Sequence, residues 1–293
     1  MTLLAVRRPD VLFDLSSSDL LIHAPLAAME RLVADLGGDP TQAAQAALAV
    51  CMLCAREAAP PSSLVAAVEP LVALLGSEHS AALQQNACAA LSGLCASVAG
   101  AREEVAAHGG AQRICALLRL TGAVRANALE TAAVLAAGGG LGLDAVLVAD
   151  IPSTVVALLQ SAVDGSDAEA AADVLCSLAA EPPARPALLQ AGAVPLLAEL
   201  MQHGSAELRM RALLCLSMIL ALRPAAHAFL AVPGALAKLR SLAAAGAAAS
   251  CGGPEDDDAL VWQQGVDESS LIAADVLSAL LQDAEIGPLA AAA

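Results

Sequence analysis

Few residues of this chain have the types and spacing that chemistry needs. The tetrapeptide "CMLC", Cys51 to Cys54, has the CxxC spacing found in metal and redox sites. A structural zinc site needs four ligands, however, and no second pair of Cys or His follows at a suitable distance. Both cysteines also lie beside apolar positions of a helical pattern. We therefore expect them to belong to a helix core and to hold no metal.

The other candidates for catalysis are equally weak. The glycine run "GGGLGL", Gly138 to Leu143, has no strand pattern before it and no Lys-Ser/Thr after it, and Asp144 would repel a phosphate. The histidines are scattered, and none has a nucleophile and a carboxylate at a motif-like spacing: His23, His79, His108, His203 and His227. The sequence therefore predicts neither an enzyme nor a cofactor, and no small-molecule substrate.

Composition favours an all-α protein and disfavours some partners. Apolar residues make up 58% of the chain, but only Phe13, Phe229 and Trp262 are aromatic. Alanine and leucine, both strong helix formers, supply most of the hydrophobicity. The net charge of −16, from 14 basic and 30 acidic residues, repels phosphate backbones, and base stacking would need aromatic residues. We expect no nucleic acid partner, whereas a basic protein or peptide would be attracted.

The sequence indicates a location inside the cell. Its longest strongly apolar run, Ala212 to Leu222, holds eleven residues, whereas a membrane-spanning helix needs about 20. The first residues show neither a secretory signal nor an acid-poor transit peptide. Most of the eight cysteines lie in helical patterns, as expected for reduced thiols. We expect the cytosol, with the nucleus as the alternative.

A helical pattern recurs along the chain at a nearly fixed period. Alignment on one alanine gives gaps of 41, 41, 43, 41 and 61 residues: Ala46, Ala87, Ala128, Ala171, Ala212 and Ala273. Apolar residues stand four and seven positions further on in every copy, as in Leu91 and Leu94. The spacing i, i+4, i+7 is one face of an α-helix. The sequence therefore predicts six copies of one long helix.

Capping residues support this frame. Seven residues before the alanine, at what we number position 0, stand residues whose side chains can cap a helix: Asp39, Ser80, Thr121, Asp164 and Ser205. Pro40 and Gln42 complete a capping box for the first copy. In the fourth copy Ser166 and Glu169 form a rival box, which would start that helix two residues later. The last copy has Asp267 next to this position.

Shorter helices precede most of the long ones, after glycine-rich corners such as "HGG", "QAG" and "VPG". The segment "AGAVPLLAELMQHGSAELRMRALLCLSMILA", Ala191 to Ala221, resembles an armadillo repeat in its small-Gly-small-apolar-Pro corner, its paired leucines and its "A-x-x-x-L-S" core. HEAT repeats are the nearest competitor, but the glycine corners favour armadillo. The resemblance implies a right-handed α-solenoid of about six repeats, a superhelix whose third helices line a concave groove.

The resemblance covers residues 23–288, and it divides them into units of 23–67, 68–110, 111–150, 151–192, 193–234 and 235–288. Residues 1–22 would cap the first unit or be loose, and residues 289–293 form a tail. Within the last unit we expect a mobile acidic loop over residues 244–270, which contains Glu255 to Asp258 and Trp262. A solvated insertion without a role is the simpler interpretation. The alternative is a loop that contacts a partner through Trp262.

The face beside the core, at positions 6, 9 and 13 of each long helix, should line the groove. The candidate groove residues are Asn86, Asn127, Glu130, Asp173, Ser177, Arg211, Leu214 and Met218. The asparagines would bond the backbone of an extended or helical partner segment, and Glu130 and Asp173 would meet its charges. Alternatively, all of these are ordinary exposed residues of a scaffold that binds elsewhere. Importin alpha-like proteins carry tryptophan at position 9 and asparagine at position 13, which this chain lacks, so nuclear-import-signal binding is not expected.

These observations favour a non-catalytic protein–protein interaction scaffold. The alternative is a regulator of a heat-shock chaperone, because small armadillo proteins of similar length act as nucleotide-exchange factors. A ubiquitin ligase is not expected, since the 22 leading residues are too few for a U-box domain. The sequence does not name the partner.

Overall fold

The computed structural model describes residues 26–55, 62–161, 166–251, 260–283 and 286–292. Their regular structure is entirely helical, with short 3-10 helices at Ser62–Ala67 and Pro182–Ala184. The α-helices, in chain order, are α1 (Leu26–Leu36), α2 (Pro40–Cys54), α3 (Val68–Ala73), α4 (Ala81–Ser97), α5 (Ala101–Ala107), α6 (Gly110–Leu117), α7 (Ala123–Ala136), α8 (Gly140–Val148), α9 (Ile151–Ser161), α10 (Ser166–Ala180), α11 (Arg185–Gln190), α12 (Ala193–His203), α13 (Ala206–Ile219), α14 (Arg223–Leu230), α15 (Ala235–Cys251), α16 (Leu260–Gln282) and α17 (Ile286–Ala292).

The long helices stack in sequence order. Helix α2 packs on α4, α4 on α7, α7 on α10, α10 on α13 and α13 on α16. Each is preceded by a second helix that packs against it, such as α12 before α13 and α9 before α10. This arrangement is an α-solenoid, and it confirms the predicted fold class.

Four units contain one helix more than the corners suggested. Helices α5, α8, α11 and α14 follow the long helices α4, α7, α10 and α13 and lie where the sequence analysis placed corners. Helix α5 packs on α8, and α14 on α17, so some of these short helices also contact one another between units. The glycine run at 138–143 lies at one such junction. Gly138, Gly139 and Gly140 all have positive φ angles, of 87°, 72° and 65°, which glycine adopts without the strain of a Cβ atom.

The repeated apolar stripe forms the core, as its spacing predicts. All six aligned alanines are buried, and at the two following core positions every residue is buried except Leu277, which is partly buried. The largest fully buried side chains include Leu91, Leu94 and Leu135. One unit exposes this stripe and its neighbours cover it, so the core runs along the stack as a continuous cluster.

Three of the five predicted caps are confirmed. Asp39 Oδ1 accepts from the amides of Thr41 at 2.8 Å and Gln42 at 3.0 Å, and Gln42 Oε1 accepts from the Asp39 amide at 3.3 Å. Ser80 Oγ accepts from the Leu83 amide at 3.3 Å. Ser205 Oγ accepts from the Leu208 amide at 3.2 Å.

The cap predicted at Thr121 is wrong. Helix α7 begins one residue later than expected, after Gly122, whose φ of 69° and ψ of −148° make a turn that suits glycine, and no side chain caps it. Helix α10 begins at Ser166, as the rival box predicts, whereas Asp164 lies outside the described residues.

The mobile loop predicted over residues 244–270 is largely wrong. Helix α15 continues to Cys251 and helix α16 begins at Leu260, so within this span only residues 252–259, with Glu255 to Asp258, lie outside the described residues. The alanines around Gly246 are strong helix formers, and one glycine costs a helix only about 1 kcal/mol. Asp267 lies within α16 and does not start it. Residues 1–22 lie outside the described residues, and the unit boundaries stay a prediction.

A left-handed residue precedes the second helix of several units. Gly109, Gly192 and Gly234, with φ angles of 71°, 78° and 76°, stand immediately before α6, α12 and α15. Asp150 occupies the same place before α9 with a φ of 54°, and it is the only non-glycine residue with positive φ among those described. The turn before the second helix of the fourth unit is therefore made without glycine.

In the described parts of the chain, no single helix has both the length and the apolar character to cross a membrane. Two bent helix pairs, α8 with α9 and α14 with the first part of α15, pass the same test of length and composition together.

Candidate functional site

The long helices form one layer of the stack, and positions 6, 9 and 13 of each helix make a row across it, which we call the candidate row. Glu130 and Leu214 are exposed in this row, and Leu214 exposes 39% of its surface. Asp173, Ser177 and Met218 are half-buried. The row therefore offers an accessible strip of mixed polar and apolar side chains, bordered by the buried core positions.

The two asparagines at position 6 already contact the neighbouring repeat. Asn86 Nδ2 donates to the Ala44 carbonyl at 3.4 Å, and Asn127 Nδ2 donates to the Gln85 carbonyl at 3.1 Å. Both acceptors stand at position 5 of the preceding long helix, so the two interfaces share one register. These side-chain amides link adjacent long helices by hydrogen bonds. Their contact with the backbone of a partner stays a prediction.

Arg211 and Asp173, predicted as separate groove residues, form an ion pair. Arg211 Nε lies 2.6 Å from Asp173 Oδ1, and its Nη1 lies 3.1 Å from Glu207 Oε2. Burial of the guanidinium disfavours its charge, but the hydrogen bond and charge of Asp173, with Glu207 and Glu169, raise the pKa of Arg211 overall. The carboxylate of Asp173 therefore faces a cation that the chain itself supplies.

Glu130 differs from Asp173 in this respect. Its Oε1 accepts a hydrogen bond from Ser92 Oγ at 3.3 Å, across the interface between α4 and α7. None of the ion pairs among the described residues involves Glu130. Its exposed carboxylate is thus a negative charge that the candidate row presents to solvent without a cation of the described chain beside it.

Met218 and Leu214 form the apolar part of the row. They lie one helical turn apart on α13, where residues four apart are neighbours. Met218 packs against the core with its buried part. The other predicted contact, Trp262, falls within α16, and its side chain lies outside what the structure describes. The predicted partner contacts of the whole set therefore remain a hypothesis.

Several contacts between repeats are not predicted by the sequence pattern. Arg125 Nη1 lies 3.1 Å from Asp167 Oδ2, which joins α7 to α10. The buried hydroxyl of Thr131 lies 3.0 Å from the Cys88 carbonyl and 2.7 Å from the Asn127 carbonyl. The Gly138 amide donates to Glu181 Oε1 at 2.7 Å. A search for opposite charges about one repeat apart could have found Arg125 and Asp167, since their separation is 42 residues.

The cysteines mostly belong to the core. Burial raises the pKa of Cys88 and of Cys95 to about 12, and burial also raises the pKa of Cys51 and of Cys54. Thiols with raised pKa values are poor nucleophiles and ligands at neutral pH. Within the described ranges, no three His, Cys, Asp or Glu side chains are grouped closely enough to hold a metal ion.

Comparison with known families finds one repeat. Residues 181–221 match the family model described as Armadillo/beta-catenin-like repeat. This segment contains the short 3-10 helix at Pro182–Ala184 with α11, α12 and α13, which together make one three-helix unit. No curated protein matches the sequence at a significant level.

Solved structures with a similar fold include designed and engineered proteins. An engineered protein, Northeast Structural Genomics Consortium target OR329, is 24% identical with a TM-score of 0.67, covering 85% of this chain and 97% of that one. The designed armadillo repeat protein YIII(Dq)4CqI is 21% identical with a TM-score of 0.68, at coverages of 85% and 99%. The designed armadillo repeat protein YIII(Dq.V1)4CPAF, in complex with peptide (KR)4, is 18% identical with a TM-score of 0.68, at coverages of 85% and 98%.

The family match and the structural matches agree with the stacked units seen in the fold. The resemblance predicted from the sequence is therefore confirmed: residues 181–221 match the armadillo repeat, and the described chain has the α-solenoid fold of armadillo repeat proteins.

Proposed function

We propose that the chain is a non-catalytic protein–protein interaction scaffold, which binds an extended or helical segment of a partner along the candidate row. The observation that carries this proposal is the row itself: one accessible strip that crosses successive long helices in the same register. Packed helices lie about 8–10 Å apart, and an extended chain rises about 3.3 Å per residue. A partner segment could thus place a side chain on each helix about every three residues.

Charge supports a basic partner. The chain carries a net charge of −16, and Glu130 presents a carboxylate that no ion pair of the described residues matches. Negative potential of this kind speeds association with cationic segments and favours them over acidic ones. One structural neighbour, a designed protein, is in complex with peptide (KR)4. At 18% identity this shows only that the fold accommodates a basic peptide.

The apolar pair Leu214 and Met218 would hold an apolar side chain of the same segment. Leu214 is exposed, and methionine adapts its shape to different partners. The partner motif therefore combines a basic residue near Glu130 with an apolar residue near α13, about five or six extended residues away across two helix spacings. Nucleic acids and small molecules are not proposed as ligands, and the proposed location is inside the cell.

Reversing the charge of Glu130 tests the proposal. A fluorescein-labelled peptide of alternating Lys and Arg serves as the probe, and its Kd is measured by fluorescence polarisation at low salt. We expect Glu130→Lys to weaken binding about tenfold, equivalent to about 1.4 kcal/mol, with unchanged helical circular dichroism. Glu130 is a cleaner target than Asp173, because reversing Asp173 would also break its ion pair with Arg211.

The matched control is Glu199→Lys. Glu199 is exposed on α12, in the layer of second helices, and no ion pair among the described residues involves it. Both variants change the net charge equally. Their Kd values for the peptide should therefore differ only if the peptide binds at the candidate row. Equal weakening by both variants would show diffuse attraction and contradict binding along the row.

The chaperone-regulator alternative stays a prediction from the sequence, and no feature described above favours it. A nucleotide-release assay with a purified heat-shock chaperone addresses it directly. Acceleration of release by the chain would replace the peptide-scaffold proposal with that function.

A further inference from the structure

Two thiols meet at the interface between α10 and α13. Cys176 Sγ and Cys215 Sγ lie 3.0 Å apart, and Cys176 Sγ also lies 3.4 Å from the Arg211 carbonyl as a donor. Both cysteines are unbridged. A disulfide bond has an S–S length of about 2.05 Å, so the two sulfurs need to approach by only about 1 Å.

The repeat register explains why the pair occurs at this interface alone. Cys176 stands at position 12 of its helix and Cys215 at position 10 of the next. The same two positions at the other interfaces between long helices hold at most one cysteine: Cys51 with Ala90, Ser92 with Thr131, Ala133 with Val174, and Ser217 with Val276. The contact between two cysteines therefore belongs to one interface of the stack, the one between α10 and α13.

The two thiols differ in exposure. Cys176 is half-buried next to Ser177 of the candidate row, whereas Cys215 is fully buried. The hydrogen bond with Cys176, followed by burial, raises the pKa of Cys215. A small oxidant from solvent therefore reaches Cys176 first. The Cys215 side chain, a protonated thiol, is in contact with the Cys176 sulfur.

We propose that Cys176 and Cys215 are a peroxide-sensitive dithiol, which forms a reversible disulfide between the fourth and fifth long helices. The Cys176 sulfur attacks one oxygen of hydrogen peroxide, the O–O bond breaks, and a sulfenic acid and one water form. The Cys215 sulfur then displaces the hydroxyl of the sulfenic acid and loses its proton as it attacks, and the hydroxyl leaves with that proton as a second water. Contact between the two sulfurs compensates for the small thiolate fraction of Cys215, because the attack is intramolecular. The two thiols together lose two electrons, and the peroxide gains them. A dithiol reductant reduces the disulfide back to two thiols.

The bridge lies beside the polar contacts of the candidate row. Arg211, whose carbonyl accepts from Cys176, also pairs with Asp173 one turn before Cys176 on α10. A disulfide at this place cross-links α10 and α13 and restricts the unfolded chain over about 40 residues. The loss of freedom in the unfolded chain stabilises the folded state. The oxidised protein should therefore unfold at a temperature several degrees higher than the reduced protein.

Peptide mapping of the full-length chain tests the proposal. Reduced, folded protein is treated with hydrogen peroxide, and free thiols are alkylated with N-ethylmaleimide during denaturation. We expect a cross-linked peptide that contains Cys176 and Cys215 and lacks two hydrogens, and its loss after dithiothreitol. Cys51 and Cys54, which share the CxxC spacing, should be recovered as alkylated thiols under the same conditions.

Two variants keep the result decisive. With Cys215→Ser, the sulfenic acid on Cys176 should persist and be trapped by dimedone, whereas Cys176→Ser should abolish both the cross-link and the shift in unfolding temperature. The peroxide dose is set to oxidise methionines of the chain. Recovery of Cys176 and Cys215 as free thiols at that dose, a sulfinic acid on Cys176 beside a free Cys215, or pairing with other cysteines would each overturn the proposal.

Discussion

At the scale of single residues, Asp150 has the least favourable backbone conformation among the described residues other than glycine. It adopts a left-handed φ of 54° where Gly109, Gly192 and Gly234 stand before the second helices of other units. The left-handed region costs a residue with a Cβ atom about 1–2 kcal/mol, although Asp tolerates it better than most. The Asp150 carboxylate accepts from Ser153 Oγ at 2.6 Å, which offsets part of this strain.

Substitutions at Asp150 should separate strain from side-chain bonding. Asp150→Gly removes both, so we expect its free energy of unfolding to be equal to the wild type or up to about 1 kcal/mol higher. Asp150→Ala removes the hydrogen bond and keeps the strain, so we expect it to be about 1 kcal/mol less stable than Asp150→Gly. Urea unfolding followed by circular dichroism measures both.

Gly192→Ala provides the matched control for this prediction. Gly192 has a φ of 78°, and no atom lies within 4 Å of an added Cβ, so any loss arises from backbone strain alone. We expect a loss of about 1–2 kcal/mol. Equal stability of Asp150→Gly and Asp150→Ala would contradict the argument from strain.

At the scale of helices, the start of each long helix depends on its cap. The repeated spacing predicted the caps at Asp39, Ser80 and Ser205, because a side chain at position 0 reaches the first free amides whatever the tertiary contacts are. It failed at Thr121, since Gly122 makes a turn that moves the start of α7 beyond the reach of the threonine.

Alanine substitutions should reproduce this difference. Ser80→Ala and Ser205→Ala each remove a hydrogen bond to a free helix amide, and we expect each to lower the free energy of unfolding by about 1 kcal/mol. Thr121→Ala removes an exposed side chain that caps nothing, so a change within about 0.5 kcal/mol is expected. Chemical denaturation of the three variants checks the order. A loss at Thr121 as large as at Ser205 would show that α7 is capped in solution.

The four helices that the sequence did not predict were missed for one physical reason, their short length. Helices α5, α8, α11 and α14 contain 7, 9, 6 and 8 residues, whereas helical periodicity becomes visible over windows of 11–18 residues. Glycine and proline at their starts also indicated turns. In α15 and α16 the opposite holds: glycines within alanine-rich and leucine-containing segments predict a loop, whereas these residues are helical.

The candidate site was predictable in position but not in contacts. Equal spacing placed Glu130, Asp173 and Leu214 on one face of successive helices, and the structure exposes or half-exposes all three. It did not reveal that Asn86 and Asn127 donate to the preceding helix or that Arg211 pairs with Asp173. Such contacts depend on the offset between neighbouring helices, which a one-dimensional pattern does not contain.

At the scale of the whole molecule, each long helix contacts its predecessor and its successor. Among the described helices, α7 and α10 lie in the middle of this series, whereas α2 and α16 have a long-helix neighbour on one side only. Stability in such a stack is approximately a sum of unit and interface contributions. The ends should therefore open more readily than the middle.

Hydrogen exchange measured by mass spectrometry checks this gradient. We expect the amides of α7 and α10 to exchange most slowly among the long helices, and those of α2 and α16 most rapidly. Leu175→Ala, at a fully buried site in α10, should lower the free energy of unfolding by about 2–5 kcal/mol. The matched variant Leu277→Ala, at a partly buried site in α16, should cost less. Uniform exchange across all six helices would indicate a single cooperative unit instead.

The same nearest-neighbour packing has a mechanical consequence. A force applied to the two ends passes through five interfaces between long helices in series, and each needs to yield only slightly for the total length to change. The molecule should behave as a soft spring, which stretches by small tilts before any interface ruptures. A disulfide between Cys176 and Cys215 would stiffen one of these five elements and leave the others compliant.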